Sequence, residues 1–122
     1  MGATVLGLMS GTSADGVDAV LAHFDGVPRR PTWRVLNAIH HPYPLSLRQQ
    51  LLDAGQGVCL SAAQWLALRQ AVSEAQAACA AAADPDQRAN LVGCHGQTLW
   101  HQPPQAGQCG ASGQLLDACL LV

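Results

Sequence analysis

The chain has no lysine: six arginines carry all of its Lys and Arg charge, and the formal net charge is −2. No basic stretch exceeds Arg29-Arg30, and aromatic residues make up 4% of the chain, so nucleic-acid binding has neither its charge nor its stacking surface. No Cys-x-x-Cys occurs, and the five cysteines, at 59, 79, 94, 109 and 119, are odd in number. This speaks against a zinc site or a disulfide framework and fits a reduced, cytoplasmic setting. Long apolar runs are missing too. The longest, Ala77 to Ala83, is far too short to span a bilayer, and the N-terminus lacks the positive region of a signal peptide. Charged residues are 11% and hydrophobic residues 49%, which gives ample core material and argues against disorder. With so few charges, some apolar surface should meet another segment or chain. A chain of 122 residues can make one domain.

What the chain does have is a glycine-rich polar stretch between two apolar runs. Val5 to Met9 leads into Ser10-Gly11-Thr12-Ser13-Ala14-Asp15-Gly16, and Val17 to Phe24 leads out. Asp15-Gly16 is a turn signal, because Gly tolerates positive φ and Asp bonds its own backbone. The pattern predicts a β-hairpin, Thr4–Met9 against Val17–Phe24, with Ser10 to Gly16 as an exposed tip. Two readings fit the tip. One is an ordinary polar turn. The other is a phosphate grip, with amides and hydroxyls donating to phosphate oxygens and a carboxylate holding Mg²⁺ directly or through water.

Gly-Leu-Met-Ser-Gly-Thr-Ser-Ala-Asp-Gly-Val-Asp, residues 7 to 18, resembles the N-terminal signature of the anhydro-N-acetylmuramic acid kinases. Val-Gly-Cys-His-Gly-Gln-Thr-Leu-Trp-His-Gln-Pro-Pro, residues 92 to 104, is similar to that family's second motif. The family belongs to the actin-like ATPase and sugar-kinase superfamily. The resemblance implies an α/β fold, ribonuclease H-like, of which this chain carries an incomplete N-terminal domain: an antiparallel three-strand meander, helices and a further strand. It covers residues 1 to 122 as the first portion of a longer two-domain kinase, and the apolar stop at Leu115 to Val122 fits a run that is cut or docks on something absent. The implied cofactors are ATP and Mg²⁺. Gly11, Thr12, Ser13, Ala14, Asp15, Gly16, Val17 and Asp18 become the nucleotide-binding residues. Asp15 and Asp18 are indirect Mg²⁺ contacts. His95, Gln97 and Thr98 are contacts to the sugar or supports of its pocket. The implied reaction converts 1,6-anhydro-N-acetylmuramic acid to N-acetylmuramic acid 6-phosphate in cell-wall recycling. No residue fits the general base, and the catalytic aspartate belongs to the missing part. The implied partners are the small-molecule sugar and, when the protein is complete, a second copy; neither nucleic acid nor membrane is among them. The rival reading is a truncated, non-catalytic domain that serves only as a binding or structural remnant.

The rest of the chain reads as scaffold. Trp33 to His41 is a third strand, with Trp33, Val35 and Ala38 or Ile39 as inward groups. Neighbouring His40 and His41 point to opposite faces of a strand and do not chelate one ion. Ser46 to Ala54 is a short helix, with Arg48, Gln49 and Gln50 on its polar side. Ser61 to Ala83 is the clearest helix: Ser61 with Gln64 makes a capping box, and Trp65, Leu68, Val72 and Cys79 fall near one face. Arg69, Gln70, Ser73, Glu74 and Gln76 read as its solvent side. Asn90–Cys94 and Thr98–His101 are two strand pieces around His95-Gly96-Gln97. Gln105 to Ser112 is a loop, Gln114 to Asp117 a short strand or turn, and Ala118 to Val122 a helix start. Leu116 and Ala118 replace the Gly and Pro usual in the family, which leaves the local backbone shape open.

Overall fold

The computed structural model of the chain describes residues 2–121. Its elements are β1 (Ala3–Ser10), β2 (Gly16–Val27), β3 (Arg30–Pro42), α1 (Leu45–Gly55), α2 (Ala62–Ala83), β4 (Leu91–Gln102) and β5 (Ala111–Leu115), followed by a 3₁₀ turn over Ala118–Leu121. They form one mixed sheet in the order β3-β2-β1-β4-β5. The meander is as expected: β1 and β2 pair antiparallel from Ala3↔Phe24 to Met9↔Asp18, and β3 continues the sheet beside β2. β4 then lies parallel to β1 on its other side, which requires the long crossover that α1 and α2 provide. The architecture is α/β and matches an incomplete N-terminal domain of the actin-like ATPase type.

The core forms where the helices meet one face of the sheet. Val17, Ala19 and Leu21 of β2 are fully buried, alternating with exposed Asp18 and Val20, as period-2 patterning requires. Leu6 and Leu8 of β1 join them, and α2 lays Leu68, Val72, Cys79 and Ala83 against this layer. The Ser61 hydroxyl accepts from the Gln64 backbone N–H, and the Gln64 side chain accepts from the Ser61 N–H, so the predicted capping box is present.

Four scaffold expectations need correction. Trp33 and Val35 do not point inward; they are 67% and 57% exposed. Every residue from Phe24 to Val35 is exposed, so the far half of the β2–β3 ribbon carries no helix over it. Ser73 and Gln76 are not on the solvent side of α2 but fully buried. The two strand pieces around Gly96 are one strand, β4, because a register shift in its pairing with β1 lets the chain bulge and continue. β5 starts at Ala111, inside the expected loop, where it finds β4 as a partner.

Asp117 shows what the altered end of the motif does. Its backbone N–H donates to the Ser73 hydroxyl at 2.8 Å, and its carboxylate faces Arg69 at 3.4 Å. Cys119 N–H in turn donates to Asp117 Oδ1. Buried Ser73 therefore ties the segment after β5 to α2.

Candidate functional site

The β1–β2 connection is the tip that the sequence singles out. Gly11, Thr12, Ser13 and Asp15 are exposed, whereas Ser10, Ala14, Gly16 and Val17 are buried. Only part of the expected tip is therefore open to solvent. The turn closes through Ala14 N–H donating to the Gly11 carbonyl at 3.1 Å, and Ala14 sits at φ 52°, a left-handed conformation uncommon for a residue with a Cβ. Backbone strain of this kind concentrates at ligand-gripping loops. Tyr43 N–H donates to the Asp15 carbonyl, pinning the tip to the end of β3.

The two glycines of the tip have different reasons to be glycine. A Cβ on Gly16 would collide with the His41 carbonyl and sit 2.7 Å from Pro42 Cα, so the close approach of β3 requires Gly there. A Cβ on Gly11 would meet nothing within 4 Å. Among the described residues nothing occupies that space, which leaves an open cradle beside the exposed Thr12 and Ser13.

Both carboxylates of the motif already have basic neighbours. Asp15 meets Arg48 Nη2 at 3.2 Å, and the same nitrogen donates to the Ser13 carbonyl at 3.4 Å. Asp18 meets His40 Nδ1 at 2.8 Å on the uncovered face of the sheet. Among the described residues no cluster of three or more His, Cys, Asp or Glu could cage a metal ion. Both carboxylates are thus engaged within the chain, Asp15 at the tip and Asp18 on the face of the sheet away from the helices.

Beneath the tip lies a polar network that sequence reasoning missed. Gln76 Nε2 donates to Ser10 Oγ at 3.1 Å and to Tyr43 Oη at 3.4 Å, Ser10 Oγ and Tyr43 Oη are 3.1 Å apart, and Cys94 Sγ donates to Gln76 Oε1 at 2.9 Å. Burial pushes the Tyr43 phenol and the Cys94 thiol above their ordinary pKa values, so both remain protonated donors. Gln76 of α2 and Tyr43, just after β3, thus converge on Ser10, the last residue of β1, and Cys94 of β4 holds Gln76 from behind. Gln76 was legible in one respect: it lies four residues after Val72 and three before Cys79, inside the apolar stripe. Its polarity, not its position, suggests solvent.

The second motif sits alongside. Its β4 backbone bulges at Gly96, where φ is 74° and a Cβ would lie 2.8 Å from the Leu115 carbonyl. After the bulge Gln97 stands opposite Ser10, fully buried, with Nε2 donating to the Gly11 carbonyl at 2.8 Å and to the Thr98 carbonyl at 2.9 Å. Its Oε1 is buried and has no partner among the described residues. Thr98 is 8% exposed, and His95 is exposed with Nδ1 at 3.3 Å from the Gly96 carbonyl oxygen. Thr98, Trp100 and His101 line a cleft of about 260 Å³ whose other walls include Thr12, Ala14 and the end of α1. Thr12 and Ala14 of the first motif and Thr98 to His101 of the second therefore share one cleft, whose lining does not include His95 or Gln97.

A mixed sheet that opens with a meander, bends round a small glycine-bearing tip and brings a later strand end beside it defines an α/β domain of the actin-like ATPase type. Residues 3–122 match the family model described as anhydro-N-acetylmuramic acid kinase, and the chain belongs to that family. It is similar to proteins named anhydro-N-acetylmuramic acid kinase from Synechococcus sp. (strain CC9605), at 60% identity over 116 residues, and from Parasynechococcus marenigrum (strain WH8102), at 62% over 116 residues. Both alignments cover 95% of this chain and 31% of the relative. A third relative of that name, from Prochlorococcus marinus (strain MIT 9303), is 56% identical over 117 residues, 96% of this chain and 31% of its own. The chain spans about a third of the length of the curated relatives it matches.

Proposed function

We propose that this chain is the first phosphate-gripping portion of an ATP-dependent kinase that converts 1,6-anhydro-N-acetylmuramic acid to N-acetylmuramic acid 6-phosphate in cell-wall recycling, in the cytoplasm. The observation that carries the reading is the shared cleft, with Thr12 and Ala14 of the tip on one side and Thr98 and His101 on the other. In the proposed reaction water adds at C1 of the anhydro sugar, the ring opens, and the freed O6 takes the γ-phosphoryl group. ATP supplies that group, and Mg²⁺ offsets its charge when bound. Gly11, Thr12, Ser13, Ala14, Gly16 and Val17 form the grip: exposed amides and hydroxyls donate to phosphate oxygens, while buried Ala14, Gly16 and Val17 hold the shape. Asp15 and Asp18 would help to hold Mg²⁺ when it is bound. His95 and Thr98 contact or support the sugar. The base that activates water is assigned to no residue of this segment.

The test joins residues 3–121 to the remaining two-thirds of the Synechococcus sp. (strain CC9605) relative and measures ADP release dependent on the anhydro sugar. The joined kinase should turn over, and Gly11→Val should raise the ATP dissociation constant at least about tenfold by filling the cradle. Calorimetry showing unchanged ATP affinity in a folded Gly11→Val protein would remove the phosphate assignment from this loop. A folded joined kinase that binds ATP but never turns over favours the non-catalytic remnant.

A further inference from the structure

We infer that Gln97 is a positioning residue for the phosphate grip: its side-chain amide fixes which way the Gly11–Thr12 peptide faces, and so aims the Thr12 N–H into the cleft. The inference rests on the phosphate reading of the tip and assigns Gln97 a role apart from sugar contact.

The geometry begins with the Gly11 carbonyl. It accepts two hydrogen bonds, from Ala14 N–H at 3.1 Å and from Gln97 Nε2 at 2.8 Å. Both donors lie on the protein side, since Ala14 is 2% exposed and Gln97 is fully buried. A trans peptide is planar, and its C=O and N–H point in opposite directions. A Gly11 carbonyl held inward therefore turns the Thr12 N–H outward. Gly11 and Thr12 are exposed, and Thr12 lines the cleft. Glycine before this peptide lowers the barrier to rotating it, so the direction needs an external lock.

The orientation of the Gln97 amide follows from its neighbours. Two carbonyl oxygens, of Gly11 and Thr98, face one end of it, so that end must be the NH₂. The opposite end, Oε1, is then left buried without a donor. An unpartnered buried acceptor is a cost that native proteins rarely keep without a reason. Locking the grip is such a reason, and leucine or methionine would fill the same volume without that penalty. The β4 bulge serves the same end. The pairing of β1 with β4 slips between Leu8 and Ser10, and only after that slip does Gln97 come to stand opposite Ser10.

The experiment uses the joined kinase described above with Gln97→Met, which keeps the volume and loses the donor, and Gln97→Glu, which sets a carboxylate against two carbonyls. The ATP dissociation constant should rise about tenfold in Gln97→Met and further in Gln97→Glu, with sugar affinity changed less than about twofold. The amide of ¹⁵N-threonine-labelled Thr12 should shift on adding a non-hydrolysable ATP analogue in the unsubstituted protein, and shift much less in Gln97→Met. A loss of sugar affinity with ATP affinity intact would overturn the inference in favour of direct sugar contact. A lower Tm with both affinities unchanged would reduce Gln97 to core packing and overturn it equally. Should Gln97→Glu fail to fold, Gln97→Met decides alone. If the Thr12 amide of the unsubstituted protein ignores the nucleotide, the phosphate reading itself fails; if it responds equally in both proteins, only the role of Gln97 fails.

Discussion

Gly11 and Gly16 look alike in the motif and differ in the fold. Gly16 is fixed by the backbone of β3, so Gly16→Ala should destabilise the chain by about 1–3 kcal/mol, the usual range for forcing atoms into a packed contact. Gly11 has open space around it, so its loss should leave Tm in place and act on nucleotide alone. Thermal melts of both variants beside ATP titrations check the split; a Gly11 variant that melts early would show that the open cradle has been misread. The phosphate role proposed for the tip rests on the motif. The division of labour between its glycines was not legible, because it depends on β3, which arrives about 25 residues later to crowd one glycine and spare the other. Arg48 was hidden for the same reason. On the helix it reads as one of three polar neighbours, and only the packing of α1 beside the tip brings it to Ser13 and Asp15.

Elements were read well where one physical rule governs them. The meander follows from apolar alternation, although its turns fall at Thr12-Ser13 and Pro28-Arg29 and not at Asp-Gly, and α2 follows from its capping box and stripe. Reading failed where tertiary contact overrides the local pattern. Gln76 and Ser73 are polar residues recruited into the interior, and β4 runs through a glycine that looks like a break. The turn from α2 to β4 gives a prediction at this scale. Asp84 Oδ1 accepts from Arg88 N–H at 2.9 Å and Oδ2 from Ala89 N–H at 2.8 Å. The Arg88 amide is the largest cause of a pKa below the ordinary carboxylate range; desolvation opposes it, and the Ala89 amide and the Arg88 charge add to it. A depressed folded pKa means that the carboxylate stabilises the fold above its unfolded pKa, and that this contribution drains away as pH falls through the folded one. Asp84→Asn should therefore be less stable than the parent near pH 6, with the gap closing towards about pH 3. Urea midpoints of both proteins across that range check it, and a gap that stays constant would mean that the turn depends on shape and not on charge.

At the scale of the whole molecule, the sheet is covered on one face only. The cross-strand row Ala38, Val20, Gly7 and Gly93 belongs to the other face, with Val20 40% exposed and Met9, which neighbours Asp18, 49% exposed. No described helix lies over this row, since α1 and α2 both pack on the face that carries Leu6, Leu8 and Leu21. Apolar and small residues across four strands make a surface that water disfavours. The chemistry is equally one-sided. Phosphoryl transfer needs donors on both sides of the phosphates and a base beside the attacking water, and this segment offers one proposed grip, whose carboxylates are held by Arg48 and His40. Asp117, the one Asp or Glu that follows the second motif in the sequence, is held against Arg69. The 122-residue chain alone should therefore release no ADP in response to the anhydro sugar, and it should associate through its bare face. Expressing it, confirming the fold by near-UV circular dichroism and measuring mass by sedimentation tests both halves. Val20→Glu should shift the mass towards monomer by placing a charge in the centre of that row, at little cost to the fold because the side chain already faces solvent. A monodisperse monomer without that substitution would show that the open face is no liability, and sugar-dependent ADP release above a Gly11→Val control would show that one grip suffices for transfer.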